Sequence, residues 1–98
     1  MSSAIQRTVT VVHRQGLHAR PAALFVQVAK RFVSRVTVKK GRKVVDGKSI
    51  MGLLTLAAHA GSRIVIMAEG SDAAQVVEEL CRLVTEPIPE PPPQSIRL

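Results

Sequence analysis

Aromatic residues and cysteines are scarce in this sequence, and each shortage excludes a class of protein. Among 98 residues there are no Trp or Tyr and only two Phe, so the aromatic platforms on which nucleic-acid bases stack are missing. The single cysteine, Cys81, cannot form an internal disulfide and has no second thiol for a metal cluster. We therefore expect a cytoplasmic protein with no metal and no cofactor.

Long apolar runs are absent as well. No stretch approaches the roughly 18 uninterrupted apolar residues that a membrane-spanning helix needs. The initial segment MSSAIQRTVTVV lacks an apolar run ending in small residues, so we expect no signal peptide and no membrane insertion. A length of 98 residues with 46% hydrophobic residues suits one small globular domain.

Acidic residues are rare in the first two thirds of the chain. Residues 1–68 contain twelve Lys and Arg but a single acid, Asp46, whereas residues 69–98 contain two Arg and six acids. The positive field of the larger part attracts anionic partners, whether nucleic acid, phosphorylated groups or an acidic protein face.

Hydrophobic periodicity predicts alternating strands and helices. Strand patterns cover residues 5–11, 35–39, 43–45 and 63–68, and helical patterns cover about 19–32, 50–60 and 73–84. The order β-α-β-β-α-β-α predicts an α+β fold with helices on one face of a mainly antiparallel sheet.

The residues at the helix ends predict where each helix stops or starts. Lys30 and Arg31 fall in the expected last turn of the first helix, where cations suit the helix dipole. Ser49 is expected to cap the second helix, which should close near Gly61, and Asp72 or the serine before it should cap the third.

The composition changes after residue 85. The segment EPIPEPPPQ, residues 86–94, holds five of the six prolines, which favours an extended, disordered conformation. We therefore predict one folded domain over residues 1–85 and a Pro-rich tail over residues 86–98.

The heptapeptide GLHARPA begins at Gly16 and places His18 where the first helix starts. Pro21 fixes that start, because proline is tolerated in a first turn, whose amides have no partner within the helix. His18 would then lie over free amides at the positive end of the helix dipole, where anions bind, and Arg20 adds a guanidinium. A phosphoryl group on this imidazole would be stabilised. Gly16 permits a tight backbone approach, and Leu17 is expected to project as an exposed apolar contact.

These residues resemble the signature of the histidine-containing phosphocarrier proteins (HPr) of the bacterial phosphotransferase system. GLHARPA is similar to that family's phosphorylated motif, and the segment GKSIMGL, residues 47–53, is similar to the one that carries its regulatory serine. The resemblance covers about residues 4–85. It implies an open-faced β-sandwich of βαββαβα order, with a four-stranded antiparallel sheet and three helices on one face.

The resemblance implies a phosphoryl carrier that is transiently phosphorylated and is not an independent catalyst. His18 would accept a phosphoryl group on Nδ1 from phosphoenolpyruvate-charged Enzyme I and pass it to a IIA domain of a sugar permease. Arg20 would steady the phosphoryl oxygens in transit. The implied docking face comprises Leu17, Ile50, Met51 and Leu54.

Ser49 is open to two interpretations. The resemblance implies a target of an HPr kinase/phosphorylase, whose product would carry a charge of about −1.5 to −2 and weaken phosphoryl acceptance at His18. Capping of the second helix would also select a serine at this position without any modification.

The other polar candidates are expected to be structural or solvated. We expect His13 and His59 to be solvated, and Cys81 to be a small core residue with nothing nearby to lower its pKa. We interpret the Lys and Arg of residues 35–43 as the solvated face and turn of a hairpin.

Two other functions stay open. A regulatory paralogue, for example in a nitrogen-type phosphorelay, would keep the fold and the histidine. A small basic nucleic-acid-binding domain would use the 35–43 hairpin to follow phosphates, although the missing aromatics argue against it. The strong positive charge and the Pro-rich tail depart from the family pattern, which leaves the identity of the partners open.

Overall fold

The computed structural model describes residues 4–86, which form one sheet and three helices. The elements are, in chain order, β1 (Ala4–Thr10), α1 (Ala19–Ala29), β2 (Arg35–Lys40), β3 (Lys43–Asp46), α2 (Ile50–Thr55), β4 (Arg63–Glu69) and α3 (Ala73–Thr85). This order confirms the predicted α+β class and the βαββαβα succession. Within residues 4–86, no helix is long and apolar enough to cross a membrane. The predicted Pro-rich tail lies, beyond Glu86, outside the described residues.

The sheet is antiparallel, with the strand order β1-β4-β2-β3. The β-branched strand β4 is central, as its sequence predicts. It pairs Ile64 with Val9 of β1 and Ile66 with Val38 of β2. Strands β2 and β3 form the predicted hairpin, and Gly41 in its turn has a φ of +61°, which glycine adopts without steric penalty.

One face of the sheet is covered by the three helices and forms the core. Alternate strand side chains point to this face and are buried, among them Val9, Val36, Val38, Ile64 and Ile66. From α3, the fully buried side chains Val76, Val77, Leu80 and Val84 pack against them. Burying each side chain of this size contributes about 1.5–3 kcal/mol. The opposite face carries the exposed or half-buried Thr8, Thr37, Val65 and Met67, so the sandwich is open-faced, as predicted.

Two helices end earlier than predicted. Helix α1 ends at Ala29, so Lys30 is its C-cap and Arg31 lies beyond it, outside the last turn. Helix α2 ends at Thr55 and does not extend to Gly61. The reason for the second difference is Ala57, whose φ of +50° belongs to the left-handed region and cannot continue a right-handed helix.

Asp72 precedes α3, as predicted, but its side chain does not cap that helix. Its carboxylate instead accepts hydrogen bonds from the backbone N–H groups of Val33 and Ser34, both at 3.0 Å, and from the Ser34 hydroxyl. The Ser34 hydroxyl and the two amides lower the pKa of Asp72 below its ordinary value of 3.8, against an opposing effect of burial. These bonds tie the start of α3 to the segment that leads into β2.

Cys81 is buried in α3, which confirms its predicted place in the core. Burial raises the pKa of its thiol above the ordinary value of 9.0. The expectation that nothing nearby would lower this pKa is wrong, because the positive charge of Arg7 opposes the rise. Burial has the larger effect, so Cys81 is held as a neutral thiol.

Candidate functional site

His18 is the N-cap residue of α1, with extended backbone angles of φ −86° and ψ −169°. Its carbonyl accepts the first helical hydrogen bond, from the Ala22 N–H at 3.0 Å. Its half-buried imidazole makes no capping hydrogen bond. The structure gives the amides of Ala19 and Arg20 no partner within residues 4–86, and Pro21 has no amide hydrogen. The ring therefore lies at a helix terminus with free donors, as predicted.

The Arg20 guanidinium is exposed in the same first turn, which contains no acidic residue. In the part of the chain that the structure describes, the one ion pair joins Arg82 to Glu78 at 3.4 Å. No described carboxylate therefore engages Arg20. Free amides and a guanidinium at one helix terminus can together hold the oxygens of a tetrahedral anion.

The β1–α1 loop, residues 11–18, is fixed against the α2–β4 loop, residues 56–62. Leu17 donates its backbone N–H to the Ala58 carbonyl at 2.8 Å, and Gly61 donates to the Val11 carbonyl at 2.8 Å. Gly16, with a φ of +74°, packs so closely that a Cβ would lie 2.9 Å from the His59 Cα. The predicted tight approach at Gly16 is therefore an approach to the α2–β4 loop.

Leu17 does not project as an exposed contact, so that prediction is wrong. Its side chain is 4% exposed and belongs to the hydrophobic core. The cause is the bond from its amide to Ala58, which draws the backbone against a neighbouring loop and turns the side chain inward. Leu17 therefore anchors the chain next to His18 in the core.

His13 is buried, which corrects the expectation that it is solvated. It is 9% exposed, and its Nε2 lies 3.0 Å from the Leu83 carbonyl oxygen at the end of α3. Its own carbonyl accepts the Gly16 N–H at 2.8 Å. His59, by contrast, is exposed, as predicted.

Ser49 occupies the N-cap of α2, as predicted. Its hydroxyl oxygen accepts a hydrogen bond from the Gly52 N–H at 3.0 Å, and its carbonyl accepts the Leu53 N–H at 3.0 Å. The side chain is half-buried. The capping interpretation is therefore confirmed. A phosphoryl group on Ser49 would have to be attached to the same hydroxyl oxygen that caps the helix.

The outer surface of α2 presents three large apolar side chains to solvent. Met51 is 72% exposed, Ile50 40% and Leu54 36%. The helix is six residues long, and its inward residue Leu53 is fully buried. Such a compact apolar group on a small domain is typical of a protein-binding surface.

Two hairpin lysines bind the C-terminal end of α2: Lys43 is exposed, as predicted, whereas Lys40 is half-buried and corrects its interpretation as solvated. Lys43 Nζ donates to the Thr55 carbonyl at 2.7 Å. Lys40 Nζ donates to the carbonyls of Leu56, at 3.3 Å, and Ala57, at 3.0 Å. Carbonyls at a helix C-terminus lack helical partners and attract cations.

Within residues 4–86, no three His, Cys, Asp or Glu side chains lie close enough to hold a metal ion.

The family model described as "PTS HPr component phosphorylation site" matches residues 5–86. The chain belongs to the HPr family. The match spans nearly all of the described residues, including both motifs of the sequence, and supports a phosphocarrier role in the phosphotransferase system.

Curated relatives and solved structures agree with membership of the HPr family. The HPr-like protein Crh of Bacillus subtilis is 45% identical over 84 residues, which are 86% of this chain and 99% of the relative. The phosphocarrier protein HPr of Haemophilus influenzae is 44% identical over 78 residues, 80% of this chain and 92% of the relative. The crystal structure of HPr from Bacillus anthracis superposes with a TM-score of 0.82 at 47% identity, covering 85% of this chain and 99% of that one.

Sequence reasoning missed the structural roles of His13 and Lys40, although both carry a readable signal in this HPr-family chain. His13 follows Val9 and Val11 at a spacing of two, and Lys40 follows Val36 and Val38 in the same way. A period of two keeps side chains on one face of a strand. Lys40 therefore continues the buried stripe of β2, and His13 continues the alternation of β1 into the loop that follows it. Each places a polar end at the edge of the core.

Proposed function

We propose that the protein accepts a phosphoryl group on Nδ1 of His18 from phosphoenolpyruvate-charged Enzyme I. It then passes the group to a histidine of a IIA domain of a sugar permease. In each step the bond from phosphorus to the donor breaks as the bond to the accepting nitrogen forms, so no group other than PO₃ moves. The protein is thus a carrier that is modified and restored in each cycle.

The observation that carries this proposal is the position of His18 at the N-cap of α1. The first-turn amides and the positive end of the helix dipole, equivalent to about +0.5 charge, favour an anion on the ring. Arg20 supplies a guanidinium that no described carboxylate neutralises, and Pro21, in the first turn of α1, has no amide hydrogen that would need a partner. The ring is half-buried, so part of its surface is open to a partner protein.

The direct test is incubation with Enzyme I and radiolabelled phosphoenolpyruvate, followed by acid treatment. Wild-type protein should acquire an acid-labile label, and His18→Ala should acquire none. Arg20→Ala should still be labelled, but more slowly, since one donor to the phosphoryl oxygens is lost. His59→Ala, at an exposed histidine, is the matched histidine control and should keep the label. Label that persists in His18→Ala would refute the assignment.

We propose that the docking face is formed by Ile50, Met51 and Leu54 on α2, without Leu17, which is buried. Exposed apolar side chains of this kind form the centre of a protein interface, and a rim of charge guides encounter. The scarcity of acids in residues 1–68 supports partners with acidic faces. Met51→Ala should raise KM for Enzyme I, whereas Val33→Ala, at an exposed valine on the segment between α1 and β2, should not.

We propose that Ser49 is a regulatory phosphorylation site for an HPr kinase/phosphorylase. A phosphoryl group would be tolerated by the N-terminus of α2, but it would place a dianion beside the apolar docking face and oppose contact with an acidic partner. Incubation with the kinase and ATP should label wild-type protein and leave Ser49→Ala unlabelled. Equal labelling of the two would remove Ser49 from the proposal.

A second candidate function is regulatory and outside sugar uptake. The relatives named Crh favour it, because one solved structure describes Crh as the Bacillus subtilis catabolite repression HPr. A nitrogen-type phosphorelay is a related candidate. Transfer to IIA domains of the sugar and nitrogen types, measured side by side from the same phosphorylated protein, separates these functions.

A gel shift across salt concentrations tests nucleic-acid binding, which we expect to be weak.

We propose that the phosphocarrier domain spans residues 1–85, that the Pro-rich segment 86–98 lies outside it, and that the protein is cytoplasmic. Removing residues 86–98 should then leave both the melting temperature and the labelling rate unchanged. A lower melting temperature would show that the segment belongs to the domain. Cell fractionation checks the compartment.

A further inference from the structure

The turn after α2 is strained at Ala57. Among residues 4–86, Ala57 is the one non-glycine residue with a positive φ, at +50°. An alanine in the left-handed region clashes through its Cβ with the following carbonyl, and it persists there only when the surroundings hold it. The question is therefore which contacts hold Ala57.

Lys40, on strand β2, supplies hydrogen bonds to this turn from another element of the fold. Its Nζ donates to the Ala57 carbonyl at 3.0 Å and to the Leu56 carbonyl at 3.3 Å. The local bond from the Ala57 N–H to the Leu54 carbonyl, at 3.2 Å, completes the turn. Hydrogen bonds from a charged donor are stronger than neutral ones, so Lys40 is suited to stabilise an unfavourable backbone conformation.

The strained turn leads directly to the backbone that precedes His18. Ala58 is buried, and its carbonyl accepts the Leu17 N–H at 2.8 Å. Gly16 packs against the same Ala58–His59 backbone with no room for a Cβ. A rotation at Ala57 would therefore move the Ala58 carbonyl and release the amide of the residue next to His18.

We propose that Lys40 is a positioning residue for phosphoryl transfer: it holds the left-handed turn at Ala57, and Ala58 then fixes Leu17 and the start of α1. This inference rests on the proposed transfer at His18. Lys43 donates to the carbonyl of Thr55, the last residue of α2, and not to the carbonyls of the turn itself.

The chain offers a matched control for testing this role. Lys40→Met removes the donor and one charge, and Lys39→Met removes the same charge from an exposed side chain of the same strand. The double variant Lys40→Met/Ala57→Gly replaces the strained alanine with a residue that adopts positive φ freely. Two readouts are needed: hydrogen exchange of the Leu17 amide, and kcat and KM for labelling by Enzyme I and phosphoenolpyruvate.

Lys40→Met should speed exchange of the Leu17 amide and lower kcat about tenfold, a size typical of small misplacements near a reacting group. Lys39→Met should change neither, and the double variant should recover most of both losses. Equal effects of Lys39→Met and Lys40→Met would show that only the loss of a positive charge matters, and would overturn the proposal. Unchanged Leu17 exchange in Lys40→Met, or no recovery in the double variant, would overturn it as well.

The two readouts also separate this inference from the proposed function. If wild-type protein is not labelled by Enzyme I, the transfer at His18 fails. The Leu17 exchange needs no Enzyme I, so it still decides whether Lys40 holds the backbone next to His18.

Discussion

The buried imidazole of His13 donates a hydrogen bond from Nε2 to the carbonyl of Leu83, at 3.0 Å and across 70 residues of sequence. A carbonyl can only accept, so the ring hydrogen lies on Nε2. The next carbonyl of α3, that of Val84, accepts the Val12 N–H at 3.4 Å. The β1–α1 loop that carries His18 therefore also caps the C-terminal end of α3, whose carbonyls lack helical partners.

His13→Ala should destabilise the domain by about 1–3 kcal/mol, because it leaves the Leu83 carbonyl without its partner and removes a buried ring. His13→Gln retains an N–H donor of similar reach and should recover part of that loss. Urea unfolding at pH 7 measures both variants. His59→Ala, at an exposed histidine, is the control and should lie within about 0.5 kcal/mol of wild type. A loss no greater for His13→Ala than for this control would contradict the capping role.

Gly16→Ala should be more destabilising than Gly61→Ala, although both glycines have positive φ values of 74° and 89°. Gly61 has open space where a Cβ would be, so alanine there adds backbone strain alone, about 1–3 kcal/mol. At Gly16 the same Cβ would also overlap the Ala58 carbonyl, which adds about 1–3 kcal/mol of overpacking. Thermal unfolding of both variants measures the two losses of stability, and their difference reports the close approach at Gly16. Equal losses would show that the β1–α1 and α2–β4 loops can separate without an energetic penalty.

The sequence predicted the order of helices and strands along the chain, the hairpin and the position of His18, because period-two alternation and a proline in a first turn are local signals. Contacts between loops have no such signal. Leu17 turned inward because its amide bonds to Ala58, 41 positions later, and α2 stopped early because Ala57 adopts a conformation that alanine rarely takes. His13 and Lys40 were predictable in part. Their spacing placed them on the buried face, but their carbonyl partners belong to distant elements that no local pattern indicates.

The stability of the domain should depend on pH through Asp72. Its pKa is lowered in the folded state by the Ser34 hydroxyl and two backbone amides, so the folded state holds the carboxylate more favourably than the unfolded chain does. This stabilisation is complete above the unfolded value of about 3.8 and is lost as the pH falls through the lower folded value. Unfolding free energies measured between about pH 5 and pH 2 should therefore decline with acid in wild type.

Asp72→Asn removes the titrating group and should flatten this decline, and Ser34→Ala should reduce it by removing the largest cause of the lowered pKa. Glu78→Gln, which changes the same charge on the exposed face of α3, is the control. An identical acid dependence in wild type and Asp72→Asn would mean that the three hydrogen bonds do not favour the charged form.

Substitutions of Ser49 should separate its capping role from its proposed regulatory role. Ser49→Ala loses the bond from the Gly52 N–H, 3.0 Å long, and should destabilise the domain by about 1 kcal/mol, while phosphoryl acceptance at His18 stays near wild type. Ser49→Asp keeps an acceptor for that amide and adds a charge that the helix terminus favours, so its stability should be preserved. It should nevertheless accept the phosphoryl group more slowly, because the added anion precedes Ile50 and Met51 of the proposed docking face. Thermal unfolding and Enzyme I-dependent labelling of both variants give the two quantities independently. If Ser49→Asp were labelled as fast as Ser49→Ala, the serine would be a helix cap and nothing more, because charge at that position would then have no influence on how a partner reaches His18.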